Sequence, residues 1–359
     1  MSSATGPATV PVREDLSTLP GYRSVQPTAK IRLNTNESPL LPPEAWLDAF
    51  ASELRTLEFH RYPDRRAWAL REALAETHGV APEQVFCANG SNEVLQCLLL
   101  AYGGHGRTAA LFEPTYTVYT HIARITGTAV AAGKREPDFS IDLAQARRLL
   151  AEARPTVTFL CTPNNPSGSS EPAEVVDELG ALTPGLLIVD EAYAQFARSS
   201  ALGRVHEESR VAVVRTFSKT WSLAGLRLGY LVGPRAVVEA LERVSLPYHL
   251  DVVKQLAGRL AVRYDDEMHE RVAVLISERE RLQSALARLS VESWPSEANF
   301  VLFRPLHRDA RAVWEGLLER SVLIRDCGNW PGAEGCLRVT VGTAAENDVF
   351  LEALEECLE

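Results

Sequence analysis

The chain has 359 residues, of which 46% are hydrophobic and 23% charged, so it can form one large domain together with a smaller one. Acidic side chains outnumber basic ones by 47 to 37, and the formal net charge of −10 argues against a nucleic-acid or anionic-membrane surface as the main ligand. The six cysteines include no CxxC pair and no histidine at metal spacing, which predicts reduced thiols and no metal site.

The N-terminal region differs from the rest of the chain in composition. Residues 1–30 are rich in Pro, Ser, Thr and Gly, and we expect them to form an arm rather than part of the core. The opening segment MSSATGPATVPVRED lacks the basic and apolar regions of a signal peptide. No apolar run approaches the ~20 residues of a membrane helix. We therefore expect a cytoplasmic protein.

From about residue 60 onward, short apolar runs alternate with helical patterns. The runs are residues 84–88, 109–112, 157–161, 186–189 and 211–214. Runs that are apolar on both faces are typical of buried parallel strands. The alternation predicts a three-layer α/β/α domain with a mostly parallel sheet.

The pattern changes near residue 266. Residues 266–289 predict one long amphipathic helix, and residues 300–303, 322–324 and 337–341 predict strands. A last helix follows Thr343, which is a suitable N-cap. We expect a large domain over 31–250 and a smaller α+β domain over 251–359, and residues 31–55 could instead join the small domain.

Polar residues follow five of the predicted strands. They occupy residues 89–93, 113–116, 162–166, 190–193 and 215–219. The carboxyl ends of strands in an open α/β sheet line the ligand crevice, so these groups should meet there. Together they supply a helix start, an aromatic face, an amide, a carboxylate with a phenol, and a lysine. This set matches the requirements of one cofactor, pyridoxal 5′-phosphate.

The cofactor phosphate requires backbone donors at a helix start, hydroxyl groups and a permanent cation. The candidates are Gly90, Ser91, Asn92, Thr216, Ser218 and Arg227. Tyr62 joins this set only through the family resemblance described below.

The cofactor ring requires a different set of groups. Asp190 is the carboxylate that would keep the pyridine nitrogen protonated, and Tyr116 the aromatic ring that would stack on the cofactor, although its segment could be a simple turn. Asn165 and Tyr193 are the donors for the ring oxygen O3′. Lys219 would supply the amine for the Schiff base, and a desolvated, cation-rich site would favour its neutral form.

The chain resembles the fold-type I aminotransferases that depend on pyridoxal phosphate, and within that superfamily the histidinol-phosphate aminotransferases. The motifs that carry the resemblance are RLNTNESP (32–39), HRYPD (60–64), ANGSNEVL (88–95), PTY (114–116), TPNNPSG (162–168), VDEAY (189–193), RTFSKTWSLAGLRLGY (215–230), LPYHL (246–250), SEANFVLF (296–303), IRD (324–326) and LRVTVGT (337–343). The chain departs from many relatives at Asn92, where they have Asp, and at Ser38, where they have Asn.

The resemblance implies a homodimer whose two active sites are shared. Tyr62 would reach the cofactor phosphate in the partner subunit, and Tyr22 would approach the partner's substrate. Arg338 would bind the substrate carboxylate and Arg325 the substrate phosphate, although either arginine could instead form a structural ion pair. Asn36 would complete the substrate-binding set.

The resemblance also implies the reaction. Lys219, Asp190 and Tyr193 would catalyse transamination between L-histidinol phosphate and 2-oxoglutarate in histidine biosynthesis. An aromatic amino-acid aminotransferase would share every cofactor motif, and a threonine-phosphate decarboxylase uses a similar scaffold. A non-enzymatic alternative, the ligand-binding half of a transcription regulator, would need a DNA-binding domain for which residues 1–30 are too short.

Overall fold

The fold consists of two β-sheets with helices packed against them, and the computed structural model describes residues 10, 13–17 and 26–359. The described α-helices are α1 (Glu14–Ser17), α2 (Glu44–Leu54), α3 (Trp68–His78), α4 (Ser91–Tyr102), α5 (Val118–Ile125), α6 (Leu143–Ala153), α7 (Ala173–Leu182), α8 (Arg235–Val244), α9 (Val252–Ala261), α10 (Asp265–Leu286), α11 (Ala310–Glu319) and α12 (Ala344–Leu358). The strands are β1 (Ile31–Leu33), β2 (Val85–Ala88), β3 (Thr108–Glu113), β4 (Ala129–Lys134), β5 (Val157–Cys161), β6 (Leu186–Asp190), β7 (Val211–Thr216), β8 (Gly229–Val232), β9 (Val291–Ser293), β10 (Phe300–Pro305), β11 (Val322–Asp326) and β12 (Leu337–Thr340).

The larger sheet has seven strands in the order β2-β8-β7-β6-β5-β3-β4. Strands β4, β3, β5, β6 and β7 run parallel, and β8 is antiparallel to both β2 and β7. Separate apolar clusters cover the two faces of the sheet. This arrangement confirms the predicted three-layer domain with a mostly parallel sheet.

The five predicted strands of this sheet are β2, β3, β5, β6 and β7, and the apolar pattern did not predict β4 and β8. Strand β4 lies at the sheet edge and none of its residues is buried, so its sequence AVAAGK lacks the signal of an interior strand. Strand β8 is fully buried but follows directly on the polar lysine segment. A short apolar run cannot by itself be distinguished from the end of a loop.

The smaller sheet has five strands in the order β1-β11-β12-β10-β9. Residues 31–33 belong to this sheet, because β1 pairs with β11. That pair is parallel, and the other strand pairs of the sheet are antiparallel. The long helix α10 connects the two cores: Val272 lies in the apolar cluster under the large sheet and Leu286 in that of the small sheet. This helix ends three residues before the predicted end because the chain turns there into β9.

The predicted N-cap of the last helix is also observed in the structure. The Thr343 hydroxyl accepts a hydrogen bond from the backbone N–H of Glu346, whose carboxylate accepts one from the backbone N–H of Thr343. This reciprocal cap begins α12 at the predicted position. Among the helices in the described part of the chain, none is both long and apolar enough to cross a membrane.

Candidate active site

A cavity opens at the carboxyl edge of the large sheet, where the small sheet and residues 34–36 lie against it. It brings together thirteen of the residues predicted from the sequence: Asn36, Ser91, Asn92, Tyr116, Asn165, Asp190, Tyr193, Thr216, Ser218, Lys219, Arg227, Arg325 and Arg338. Six residues that line it were not predicted as site residues: Asn34, Thr35, Thr117, Cys161, Ala192 and Trp330. Gly90 lies directly before Ser91, at the N-cap of α4.

One end of the cavity presents donors suited to a phosphate group. Helix α4 begins at Ser91, so the first backbone N–H groups of the helix are available to an anion. The Thr216 hydroxyl accepts a hydrogen bond from the Ser218 backbone N–H and donates one to the Ser218 hydroxyl, at 3.1 and 3.0 Å. Arg227 donates to the same Ser218 oxygen over 3.2 Å. The donor set therefore fits the phosphate of the cofactor.

Gly90 allows the close approach of the guanidinium to the helix start. Its φ is +81°, and a Cβ built on it would lie 2.8 Å from Nη2 of Arg227. A side chain at this position would be strained and would displace the arginine from the anion site. This cradle is a second observation that fits a bound phosphate.

We expect Gly90→Ala to weaken the binding of pyridoxal phosphate by at least ~10-fold, through backbone strain and displacement of Arg227. The dissociation constant of the cofactor for the apoprotein measures this effect. Gly203→Ala is the matched control, since no atom lies within 4 Å of a Cβ there and its φ is not positive. Equal affinities in the two variants would contradict the assignment of this end to the phosphate.

Asp190 lies buried at the end of β6. Its Oδ2 accepts a hydrogen bond from the Tyr119 hydroxyl at 2.6 Å, and its Oδ1 accepts one from the backbone N–H of Ala192 at 3.1 Å. Burial raises the pKa of Asp190 to about 6, with the two hydrogen bonds opposing the shift. A protonated pyridine nitrogen would supply the positive partner that this carboxylate lacks.

Tyr119 is the residue of this region that the sequence analysis missed. It packs flat on Phe159 with ring centroids 4.7 Å apart, and edge-on to Tyr116 at 5.6 Å. Tyr116 in turn donates from its hydroxyl to Oδ1 of Asn92 over 3.2 Å. The signal that could have identified Tyr119 is its spacing of three residues from Tyr116, which brings the two rings close at the start of α5.

The two predicted donors to the ring oxygen are held in defined orientations. Oδ1 of Asn165 accepts a hydrogen bond from Arg338. A guanidinium can only donate, so the Asn165 amide must turn its NH₂ group elsewhere, where it can donate to a ligand. The Tyr193 hydroxyl accepts a hydrogen bond at 3.0 Å from Nδ2 of Asn36. Asn36 lines the cavity as predicted, but its side chain already bonds to Tyr193 and to Thr340.

Lys219 lies partly buried in the loop after β7. Its Nζ donates a hydrogen bond to the backbone carbonyl of Thr35 over 3.0 Å. Burial, together with the positive charges of Arg338 and Arg227, lowers the pKa of Lys219 to about 7, although Glu37 opposes the shift. A substantial fraction of the amine is therefore neutral near pH 7, as the predicted cation-rich site requires.

The side of the cavity formed by the small sheet carries two arginines. Arg338 on β12 is 5% exposed and donates to the backbone carbonyl of Asn34 over 3.0 Å. Its guanidinium lies 5.0 Å from the ring of Phe300 and 6.0 Å from that of Trp330. Arg325 on β11 pairs with Arg338 in the strand register. Two cationic side chains thus face the cavity on adjacent strands.

Of the two predicted partner-subunit residues, Tyr62 does not line this cavity. Tyr62 is 81% exposed and stacks on Tyr248, with ring centroids 4.6 Å apart. Tyr22 lies outside the residues that the structure describes.

Comparison with known proteins identifies the family of the chain. A model of the family described as aminotransferase class I and II matches residues 28–354. A histidinol-phosphate aminotransferase of Thermobifida fusca (strain YX) is 44% identical over 354 residues, or 96% of this chain and 95% of that protein. Another, from Mycolicibacterium smegmatis, is 44% identical over 96% of this chain and 93% of its own length.

The structural similarity extends over the same length. The crystal structure of a histidinol-phosphate aminotransferase from Sinorhizobium meliloti, in complex with pyridoxal 5′-phosphate, superimposes with a TM-score of 0.89. The superposition covers 98% of both chains at 24% sequence identity, so it supports the fold. On the family match and the two relatives at 44% identity, the chain belongs to the class I and II aminotransferases and, among them, to the histidinol-phosphate aminotransferase family.

Proposed function

We propose that the chain is an aminotransferase that uses pyridoxal 5′-phosphate and transfers an amino group between L-histidinol phosphate and 2-oxoglutarate in histidine biosynthesis. The observation that carries this proposal is the position of Lys219, a lysine of lowered pKa between the phosphate-binding end and the paired arginines. When bound, pyridoxal phosphate supplies a reactive carbonyl and a protonated ring that accepts an electron pair. The names of the relatives identify the substrate.

In this reaction, residues of the chain transfer a proton, stabilise charge and orient the cofactor. The Lys219 amine, neutral in part near pH 7, accepts the α-proton of the amino-acid substrate and later returns it. The Asp190 carboxylate stabilises positive charge at the pyridine nitrogen. Tyr193 and Asn165 would donate hydrogen bonds to the ring oxygen and so orient the cofactor for the proton transfer.

The arginine pair explains how one cavity serves two different substrates. Glutamate carries a carboxylate on the reacting carbon, whereas histidinol phosphate carries a hydroxymethyl phosphate there. A guanidinium binds both anions with paired hydrogen bonds and keeps its charge. We assign the carboxylate to Arg338, whose described hydrogen bonds go only to neutral amide oxygens, and the substrate phosphate to Arg325.

The test follows each half-reaction separately by the visible absorbance of the cofactor-loaded protein. L-Histidinol phosphate should convert the cofactor to its pyridoxamine form rapidly and at low concentration, and L-phenylalanine should convert it poorly. The reverse preference would make the chain an aromatic amino-acid aminotransferase. Release of CO₂ from L-threonine phosphate without amino transfer would make it a decarboxylase.

We expect Arg338→Ala to lower kcat/KM of the glutamate half-reaction by about 10²-fold, because a charged hydrogen-bond partner of the carboxylate is lost. Arg320→Ala is the matched control, since Arg320 pairs with Glu356 on the exposed surface. An unchanged glutamate half-reaction in Arg338→Ala would reject the carboxylate assignment.

The dimer is part of the same proposal. Four large apolar side chains are exposed in two short segments: Phe59, Tyr62, Leu246 and Tyr248. Tyr62 and Tyr248 stack on each other there, which forms a rigid aromatic surface. An exposed aromatic and aliphatic surface of this kind is suited to a second copy of the chain. Tyr62 would then reach the phosphate end of the partner's cavity.

We also propose the cytoplasm as the location. All six cysteines are free thiols, and the five at positions 87, 97, 161, 327 and 336 are buried. Unpaired thiols are typical of a reducing compartment.

A further inference from the structure

We propose that Thr340 is a positioning residue that acts through Asn36 to fix the direction in which the Tyr193 hydroxyl donates its hydrogen bond. The inference rests on the proposed function only in that it requires pyridoxal phosphate in the cavity. None of the motifs that identify the family assigns a role to Thr340, which lies at the end of β12.

Three buried side chains form a continuous hydrogen-bonded chain from β12 to the cavity. The Thr340 hydroxyl donates to Oδ1 of Asn36 at 3.1 Å, and Nδ2 of Asn36 donates to the Tyr193 hydroxyl at 3.0 Å. Thr340, Asn36 and Tyr193 are only 3%, 2% and 4% exposed. Water cannot readily substitute for a missing member at this burial, so the direction of each hydrogen bond depends on its neighbours.

The direction of the chain follows from counting protons. The backbone N–H of Asn36 donates to the Thr340 oxygen at 3.0 Å, so the threonine hydroxyl must send its own proton elsewhere. The acceptor described for that proton is Oδ1 of Asn36, so the Asn36 side chain presents its oxygen to Thr340 and its NH₂ group to Tyr193. The Tyr193 oxygen therefore accepts from Asn36, and the phenolic proton remains free for the ligand in the cavity.

The backbone around Asn36 keeps this side chain in place. Asn36 has a φ of +55°, a left-handed conformation that asparagine tolerates better than most residues. Its carbonyl accepts a hydrogen bond from the Asn299 side chain at 3.1 Å. With its backbone N–H and C=O both engaged, the remaining freedom of Asn36 is rotation of the amide. Thr340 removes that freedom.

Tyr193 is suited to donate throughout the working pH range. Burial raises the pKa of the phenol, and the nearby Arg338 opposes this shift, while Cys161 and Tyr116 are the other titratable groups that face it. The Cys161 thiol is not ionised near neutral pH, since burial raises its pKa to about 12. The hydroxyl thus remains protonated, and only its orientation is left to be determined.

The consequence for the cofactor is a lowered pKa of its visible chromophore. A hydrogen bond donated to the ring oxygen stabilises the form in which that oxygen is negative, and so favours loss of the chromophore's proton. Without Thr340, the Asn36 amide can turn its oxygen toward Tyr193 and capture the phenolic proton. The ring oxygen then loses this donor and the chromophore holds its proton to a higher pH.

The experiment is a pH titration of the visible absorbance of the cofactor-loaded protein without substrate. Thr340→Val, which keeps the shape and removes the hydroxyl, should raise the midpoint by about 0.5–1 pH unit. Thr340→Ser, which keeps the hydroxyl, should return the midpoint to the wild-type value. Thr158→Val is the control for a buried strand threonine, since the hydroxyl of Thr158 has no hydrogen-bond partner among the described residues and the same change should leave the midpoint unaltered.

A double variant separates a positioning role from a general structural one. Tyr193→Phe should raise the midpoint on its own, and adding Thr340→Val should then have no further effect, because the proton whose direction Thr340 controls is absent. Additive shifts, or an unchanged midpoint in Thr340→Val, would overturn the proposal. If Thr340→Val does not fold, Thr340→Ala removes the same hydroxyl and tests the same relay by the same midpoint.

Failure of this proposal and failure of the proposed function give different results. The titration uses no substrate, so the midpoints report on the relay whichever amino acid the enzyme converts. A wrong substrate assignment would appear only in the half-reactions with L-histidinol phosphate. Absence of any visible chromophore would overturn both proposals together.

Discussion

Lys219→Ala is expected to abolish amino transfer, with kcat lowered by about 10⁴-fold, because the variant has no amine to move the substrate's α-proton. No other described residue that lines the cavity can replace it: the other cationic groups among them are arginines, which do not lose a proton near neutral pH. Single-turnover conversion of the cofactor by L-histidinol phosphate measures the effect. The affinity for pyridoxal phosphate should fall less than the rate, since the phosphate-binding end is intact.

Lys254→Ala is the control for the loss of a lysine, because Lys254 pairs with Asp251 at a helix start far along the chain from the site. A Lys219→Ala protein that retains one-hundredth of the activity or more would contradict the assigned role. The same variant tests the shared active site. Mixed with Tyr62→Ala subunits, it should regain about a quarter of the wild-type activity, since half the dimers are mixed and each has one intact site.

Asp190→Asn is expected to lower kcat by about 10³-fold, because the ring nitrogen loses the carboxylate that keeps it protonated. The substitution is compatible with the local hydrogen bonds. The amide oxygen can accept from the backbone N–H of Ala192, and the amide NH₂ can donate to the Tyr119 hydroxyl after that hydroxyl rotates. The half-reaction rate with L-histidinol phosphate, measured at saturating cofactor, reports the loss.

The same substitution should stabilise the apoprotein. The pKa of Asp190 is raised from 3.8 to about 6 by burial, so protonation of the folded state stabilises it fully below pH 3.8, and this stability is lost as the pH rises through about 6. Asparagine does not ionise, so the substitution removes this dependence of stability on pH. We expect the free energy of unfolding of the apoprotein to increase by 1–3 kcal/mol, on the order of the shift in pKa, at pH 8 relative to wild type. The difference in the free energy of unfolding between the variant and the wild-type apoprotein should be smaller at pH 4.

Thermal unfolding of the two apoproteins at pH 8 and at pH 4 gives the comparison. A gain in stability at pH 8 together with a loss of catalysis is the result expected of a residue whose charge is unfavourable until the cofactor is bound. A variant destabilised equally at both pH values would indicate that Asp190 serves only in packing.

Much of the active site was predictable because strand ends and local motifs are encoded in neighbouring residues. The segment 215–230 places Thr216 at the end of β7 and Ser218, Lys219 and Arg227 in the loop that follows, so their proximity follows from the chain itself. Asp190 comes directly after an apolar run that predicts a buried strand, and the carboxyl end of a strand in a parallel sheet faces the crevice. The helix start at Ser91 was predictable for the same reason, because it comes shortly after the predicted strand of residues 84–88.

The parts of the site and of the fold that depend on contacts between distant segments were harder to predict from the sequence. Trp330 and Asn34 line the cavity because the small sheet folds over the edge of the large one, and no periodicity in their own segments indicates this. Strand β1 is separated from its partner β11 by nearly the whole chain, and its three residues are too few for a reliable pattern. The spacing of Tyr119 from Tyr116 is a local signal, but its hydrogen bond to Asp190 joins residues 71 positions apart and is seen only in the structure.

The sequence by itself determined the alternating α/β order, the strand ends that carry the polar groups, and the chemistry of the cofactor site, because each depends on residues close together in the chain. Tertiary structure alone decided how these groups are oriented. The direction of the hydrogen bonds from Thr340 through Asn36 to Tyr193, and the lowered pKa of Lys219 near Arg338, depend on burial and on charges brought together across two sheets. Neither burial nor proximity of this kind can be read from local sequence, because both arise only when the two cores pack.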